Sequence, residues 1–182
     1  MWFQEAERIF ILPVAKIQWW LLSEVKEELR EVFGKETIIA DEMTPPVEVL
    51  NRDRGQIYST GLIEAIANRA YNGMVLGIID FDMFVPGLNF VFGEADPAEG
   101  VAVVSITRLK EEFYGRVADQ GLLLQRTLKE AIHEMGHLYS LKHCPDPRCV
   151  MHFSNSIAET DRKSKEFCPV CIKILKNLLK LF

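Results

Sequence analysis

Apolar positions along this 182-residue chain change period several times, and each change marks an element. Residues 9–17, IFILPVAKI, read as a first strand. Leu22, Val25, Leu29, Val32 and Phe33 then recur at helical spacing, and Gly34 is placed to stop that helix. ETIIAD at 36–41 predicts a short strand, ended by Thr44-Pro45-Pro46. A second helix is predicted from near Thr60 to Tyr71, closed by Asn72-Gly73. MVLGIID, 74–80, is continuously apolar and of strand length, which suits the centre of a sheet. LNFVFGEA at 88–95 and GVAVVSITRL at 100–109 predict two further strands, joined by the turn former DPAEG.

The clearest helix is predicted over 122–141, where Leu124, Leu128, Ala131, Ile132, Met135 and Leu138 form one apolar stripe. Beyond Lys142 prolines appear and apolar runs become scarce, until a last amphipathic helix from about Pro169 with the stripe Ile172, Leu175, Leu178 and Leu179. The order strand-helix-strand-helix-strand predicts an α/β (α+β) fold with a mixed, twisted, partly parallel sheet and right-handed crossovers. The short link between the last two strands requires an antiparallel neighbour. The expected organisation is one domain, 1–182, with an N-terminal lobe over 1–141 and a small C-terminal lobe over 142–182.

Composition narrows the function classes. Nearly half the residues are hydrophobic, and 26 acidic against 21 basic side chains give a net charge of -5. That balance argues against a general nucleic-acid binder, which needs many phosphate-neutralising cations. Six basic side chains and one acidic one in the last 21 residues read as a solvated helix face. The N-terminal segment has Glu5 and Glu7 where a signal peptide carries positive charge, and Pro13, Lys16 and Gln18 interrupt its apolar stretch. The expectation is a cytoplasmic monomer that meets neither membrane nor nucleic acid. In a reducing cytoplasm, clustered cysteines are more often metal ligands than disulfides.

All four histidines and two of the four cysteines fall within residues 133–152, and the other two cysteines follow in CPVC at 168–171. HEMGH, 133–137, is the pattern H-E-x-x-H on a helix. His133 and His137, four residues apart, leave one face a turn apart and can share a zinc ion. Glu134 stands beside the first ligand and can collect a proton from water activated by the metal. His143, six residues beyond His137, can return to the same ion if the chain turns sharply. Three histidines leave the fourth tetrahedral position open, which catalysis needs. Cys144, Cys149, Cys168 and Cys171 have the spacing C-x4-C-x18-C-x2-C, which suits a closed, structural four-thiolate zinc site. The alternative reading of those cysteines is buried free thiols or a redox pair.

The segment H133-E-M-G-H137-L-Y-S140-L-K-H143, followed by Met151, resembles the long motif of the metzincin metallopeptidases with its Met-turn. Within that clan, H143-C144-PDPR-C149-V-M151 with C168-P-V-C171 resembles the archaemetzincins, as does PGLNFVFGEA at 86–95. The resemblance covers about residues 74–171, and more weakly the whole chain. It implies a metzincin-like fold with backing and active-site helices, a catalytic zinc and a second, structural zinc, two Zn2+ per chain. It also implies Met151 as an apolar floor under the histidines. Ser140 departs from the motif glycine, and serine at positive φ costs about 1 kcal/mol or more unless the helix ends differently. Phe153 stands where many metzincins carry a tyrosine.

The remaining candidates have bland readings. His152 is expected at the surface or behind a ligand, Tyr139 as a packed helix-end aromatic, and Asp80 and Asp82 as loop caps. The expected activity is hydrolysis of peptide or protein substrates by a zinc metalloendopeptidase or aminopeptidase. Glu134 would be its general base, and the substrate would pair with an edge strand at 88–95. Two other classes remain: a weak or inactive peptide-binding module of the same fold, and a zinc-stabilised nucleic-acid or protein adaptor.

Overall fold

The computed structural model describes residues 7–179. Strand β1 (Arg8–Val14) alternates between two buried faces and ends where Ala15 turns to a φ of 61°. Helix α1 (Trp19–Phe33) buries Leu21, Leu22, Val25, Leu29 and Phe33. Gly34 stops it in the left-handed conformation, with its N–H donating to Arg30 O at 3.0 Å. Strand β2 (Glu36–Ile39) returns parallel to β1.

Two elements follow that have no periodic signal: β3 (Leu50–Asn51) and β4 (Gln56–Tyr58). With β6 (Met83–Phe84) they form a small three-stranded sheet. Two or three residues are too few for an alternating pattern to register. Helix α2 (Ser59–Ala67) is shorter than the predicted span to Tyr71, because Ala70 adopts a φ of 53° and the chain leaves the helix at Asn68.

Strand β5 (Met74–Ile79) is buried at every residue, as its continuous apolar run requires, and β8 (Val101–Ser105) is buried throughout as well. The main sheet has the order β2-β1-β5-β8-β7, where β7 (Gly93–Asp96) is the single antiparallel strand and forms one edge. The predicted edge strand at 88–95 is therefore corrected to its second half. After Ser105 the chain turns into a 3-10 segment at Thr107–Leu109, so residues 88–91 find no partner on β8. Val91 N instead donates to Met83 O at 3.0 Å.

Helix α3 (Gln120–Leu138) starts at Asp119, whose carboxylate accepts from Leu122 N at 2.9 Å. It packs with α1 on one face of the sheet, against Ile9, Ile11, Leu76, Ile78 and Val104. The alternate residues Leu12, Val75, Val101 and Val103 face α2 through Leu62, Ile63 and Ile66. The result is a helix-sheet-helix sandwich with β5 and β8 at its centre. After α3 come a short helix α4 (Ile157–Arg162) and α5 (Pro169–Leu179). Leu141, Val150, Met151 and Leu175 join the same core cluster as α1 and α3. None of the described helices is long and apolar enough to cross a membrane.

Candidate active site

The predicted helix to residue 141 ends three residues earlier, and the way it ends builds the site. Tyr139 caps α3, and Ser140 takes a φ of 63°. Ser140 N donates to His137 O at 2.7 Å and Leu141 N donates to Gly136 O at 3.0 Å. That hydrogen-bond pair is a Schellman closure, with serine where glycine is usual. The reversal lets His143 come back over the helix end despite the departure from the motif.

His133, His137 and His143 converge, with ring centroids 4.6, 4.8 and 5.4 Å apart. The Nδ1–H of His133 donates to Val150 O and that of His137 to Leu141 O, both at 2.8 Å. Each bond fixes the tautomer and leaves Nε2 as a free lone pair. The two Nε2 atoms are 3.1 Å apart. Two nitrogens bound tetrahedrally to one zinc ion would stand about 3.3 Å apart. One ligand atom from each of the three rings lies within 4.8 Å of the others. Burial pushes the His133 pKa well below its ordinary value, and the charge of Lys163 adds to the effect. Burial lowers those of His137 and His143 too. Each shift favours the neutral imidazole, the form that ligates a metal.

Glu134 faces the same cleft and is 5% exposed. Burial drives its carboxyl pKa well above the usual range, and the negative charge of Glu130 pushes it further. Space for it comes from Gly93 on β7, where a Cβ would stand 2.6 Å from Glu134 Cγ. Beneath the histidines, Met151 is fully buried. It sits so close to α3 that a Cβ on Gly136 would lie 2.5 Å from its Sδ. The cleft itself holds about 400 Å³. Residues 88–95 form one wall, α3 the floor and 153–155 the other wall.

The second cluster is also assembled. Cys144, Cys149, Cys168 and Cys171 are free thiols whose sulfurs all lie within 4.8 Å of one another. Cys144 Sγ and Cys168 Sγ are 3.7 Å apart. Two thiolates bound tetrahedrally to zinc would be about 3.8 Å apart. Cys168 N–H donates to Cys149 Sγ at 3.3 Å. The backbone N–H of Cys171, then that of Val170, lowers the Cys168 thiol to about 7, while burial pushes Cys171 up. The His143–Cys144 peptide joins the two clusters.

Tyr139 and His152 fall where their bland readings put them, whereas Asp80 and Asp82, expected as loop caps, are held in ion pairs. Tyr139 is buried and stacks on Phe33, with centroids 5.2 Å apart. His152 supports the second cluster, its Nδ1–H donating to Cys144 O at 2.9 Å. Asp82 forms a two-pronged pair with Arg108 at 2.7 and 2.8 Å, and Asp80 pairs with Lys110. Phe153 is half-exposed beside His143, with ring centroids 4.9 Å apart. One reading needs correction. The basic run near the C-terminus is not wholly solvated, because Lys163 is fully buried and paired with Glu130 at 3.1 Å. Lys173 and Lys176 on α5 are exposed, as expected.

Known proteins resemble this chain in sequence and in fold. The model for peptidase family M54 matches residues 64–177. The archaemetzincin of Pyrococcus furiosus is 38% identical over 181 residues, covering 95% of this chain and 94% of that protein. The archaemetzincin of Methanocaldococcus jannaschii is 40% identical over 170 residues, 93% of each chain. The crystal structure of the Methanopyrus kandleri archaemetzincin is similar with a TM-score of 0.84 and 34% identity, covering 97% of both chains. A zinc-dependent peptidase from Methanocorpusculum labreanum gives a TM-score of 0.85 at 32% identity, over 92% of this chain and 99% of that one. The chain thus belongs to peptidase family M54, a family of zinc metallopeptidases, together with the archaemetzincins.

Proposed function

We propose that this chain hydrolyses peptide bonds with a catalytic zinc held by His133, His137 and His143, and with Glu134 as the proton carrier. The observation that carries the reading is the convergence of three imidazoles with the buried Glu134 carboxyl group in one cleft. Zinc in that position supplies Lewis acidity, which lowers the pKa of water to about 7 and polarises a carbonyl. Glu134 takes the proton released as water attacks the scissile carbonyl and passes it to the leaving amine nitrogen. Its raised pKa suits a group that must hold a proton between those two events. The substrate, a peptide or an unfolded stretch of protein, lies extended along the free edge of β7 and pairs its backbone there.

Cys144, Cys149, Cys168 and Cys171 hold a second zinc, whose role is structural. No position is left open on a four-thiolate ion, and the cluster ties the segment after α3 to the start of α5. Met151 serves as the apolar floor of the histidine site.

Glu134→Gln tests the reading. Zinc content and thermal stability should stay at the parental level, while peptide cleavage falls by about 100- to 10,000-fold. A Glu134→Gln variant that cleaves as fast as the parent would overturn the role of Glu134. A zinc-loaded parent that binds peptides and cleaves none would favour the binding-module reading, for which Phe153 in place of a hydroxyl-bearing residue is the supporting feature.

A further inference from the structure

The cleft wall over residues 88–91 lies outside the main sheet, because β8 turns away after Ser105. Leu88 N donates to Val85 O at 3.1 Å and Val91 N to Met83 O at 3.0 Å, so neither bond reaches that sheet. Donors for the wall come instead from the turn between β3 and β4. Arg54 Nη2 donates to Asn89 O at 2.8 Å and to Leu88 O at 3.3 Å. Gln56 Nε2 donates to the same Asn89 O at 3.0 Å, which uses both lone pairs of that carbonyl.

These two side chains are themselves fixed. Arg54 Nε donates to Gln56 Oε1 at 2.6 Å, and its guanidinium lies 4.3 Å from the ring centroid of Phe84 on β6. Gln56 is 6% exposed, and its Nε2 also donates to Asp82 Oδ2 at 2.8 Å. Asp82 carries the Arg108 pair, and the Arg108 guanidinium lies 4.1 Å from the ring centroid of Phe90 in the wall. An arginine in an exposed turn is ordinarily left to water. Here its planar fork spans three acceptors at once, which fixes its direction as well as its charge. The influence of the turn stops at Phe92, whose carbonyl accepts from Ser105 N at 2.8 Å. Gly93, beside Glu134, lies beyond that point and is held by β8.

We propose that Arg54, seated on Gln56, is a positioning residue for peptide binding. It holds the 88–91 wall in place of the strand that β8 does not supply, and it touches neither the histidine cluster nor Glu134. The small sheet of β3, β4 and β6 is then the brace of the cleft. This rests on the peptidase reading, and the test separates the two.

Arg54→Ala is compared with the parent and with Arg52→Ala, which removes a charge from the same turn. Hydrogen exchange, read without peptide, should quicken at least about fivefold over residues 87–91 and keep its parental rate in α3. With a quenched-fluorescent decapeptide that the zinc-loaded parent cuts, KM should rise about tenfold while kcat stays within about twofold. The wall meets the peptide alike in the ground and transition states, so its loss weakens binding and spares the chemical step. Zinc per chain and the thermal midpoint should match the parent, and Arg52→Ala should behave as the parent throughout.

Unchanged exchange over 87–91, an unchanged KM, a fall in kcat as large as the rise in KM, loss of zinc, or the same effects from Arg52→Ala would overturn the role of Arg54. A parent that cuts no peptide removes the peptidase reading instead. Arg54 is then judged by the exchange and by the Kd of a captured decapeptide, with the same rise of about tenfold expected. A cleft that captures no peptide removes both.

Discussion

Gly93 on β7 and Glu134 on α3 occupy space that only one side chain can use: a Cβ on residue 93 would stand 2.6 Å from Glu134 Cγ and 2.7 Å from its Cδ. The edge strand and α3 approach this closely because residue 93 has no side chain. The carboxylate is thereby held between the helix and the strand that the substrate is proposed to pair with.

Gly93→Ala should therefore act on chemistry through Glu134. The methyl group forces the carboxylate out of its place, and misplacement on the order of 1 Å costs about 100-fold in rate. Zinc content should be unchanged, because residue 93 contributes nothing to either ligand cluster. The measurement is kcat/KM together with zinc per chain. Parental kcat/KM in this variant would show that Glu134 has room to move.

Ser140→Gly should stabilise the protein. Serine at a φ of 63° carries left-handed strain of about 1–2 kcal/mol, part of which the greater unfolded-state freedom of glycine offsets. A net gain of about 1 kcal/mol in urea unfolding is expected. A loss of stability would mean that the serine side chain contributes more than the strain removes.

Lys163→Met should be strongly destabilising, by about 3–5 kcal/mol, because it leaves Glu130 as an uncompensated buried charge. Pairing it with Glu130→Gln should recover most of the loss, and a double-mutant cycle measures the coupling. Two independent losses that simply add would contradict the ion pair.

Stepwise chelation should remove zinc in two phases. The histidine cluster supplies three ligands and the cysteine cluster four, so the first should empty sooner and abolish activity while the fold persists. Cys168→Ser should lower thermal stability and zinc content together. Loss of both ions in one phase, or a total that never exceeds one per chain, would contradict two sites.

The two candidate ligand clusters are legible in the sequence because ligation depends on residue identity at local spacing. His133 and His137 share a helix face, and the cysteine pairs bracket one loop. What escaped detection depends on elements far apart in the chain. Gly93 and Gly136 matter for the side chain they lack, and that shows only once Glu134 and Met151 are seen opposite them. Lys163 read as part of a solvated basic run because its partner, Glu130, lies 33 residues earlier. Strands β3, β4 and β6 are too short for any pattern, and the edge strand starts later than its apolar run because β8 turns away after Ser105. The fold class came through because β5 and β8 are apolar at nearly every position, which only a strand covered on both faces requires.

The strand order also governs how the molecule is assembled in time. β1 pairs with β5 through contacts such as Val14 with Ile79, separated by 65 residues, and β5 pairs with β8 through Ile79 and Ser105, separated by 26. Parallel neighbours that distant must close long loops before any pairing repays the lost chain entropy. Refolding should accordingly be slow for a chain of this length. α3 packs on that sheet and on α1, so the three histidines should gather late and metal capture by them should follow folding rather than nucleate it.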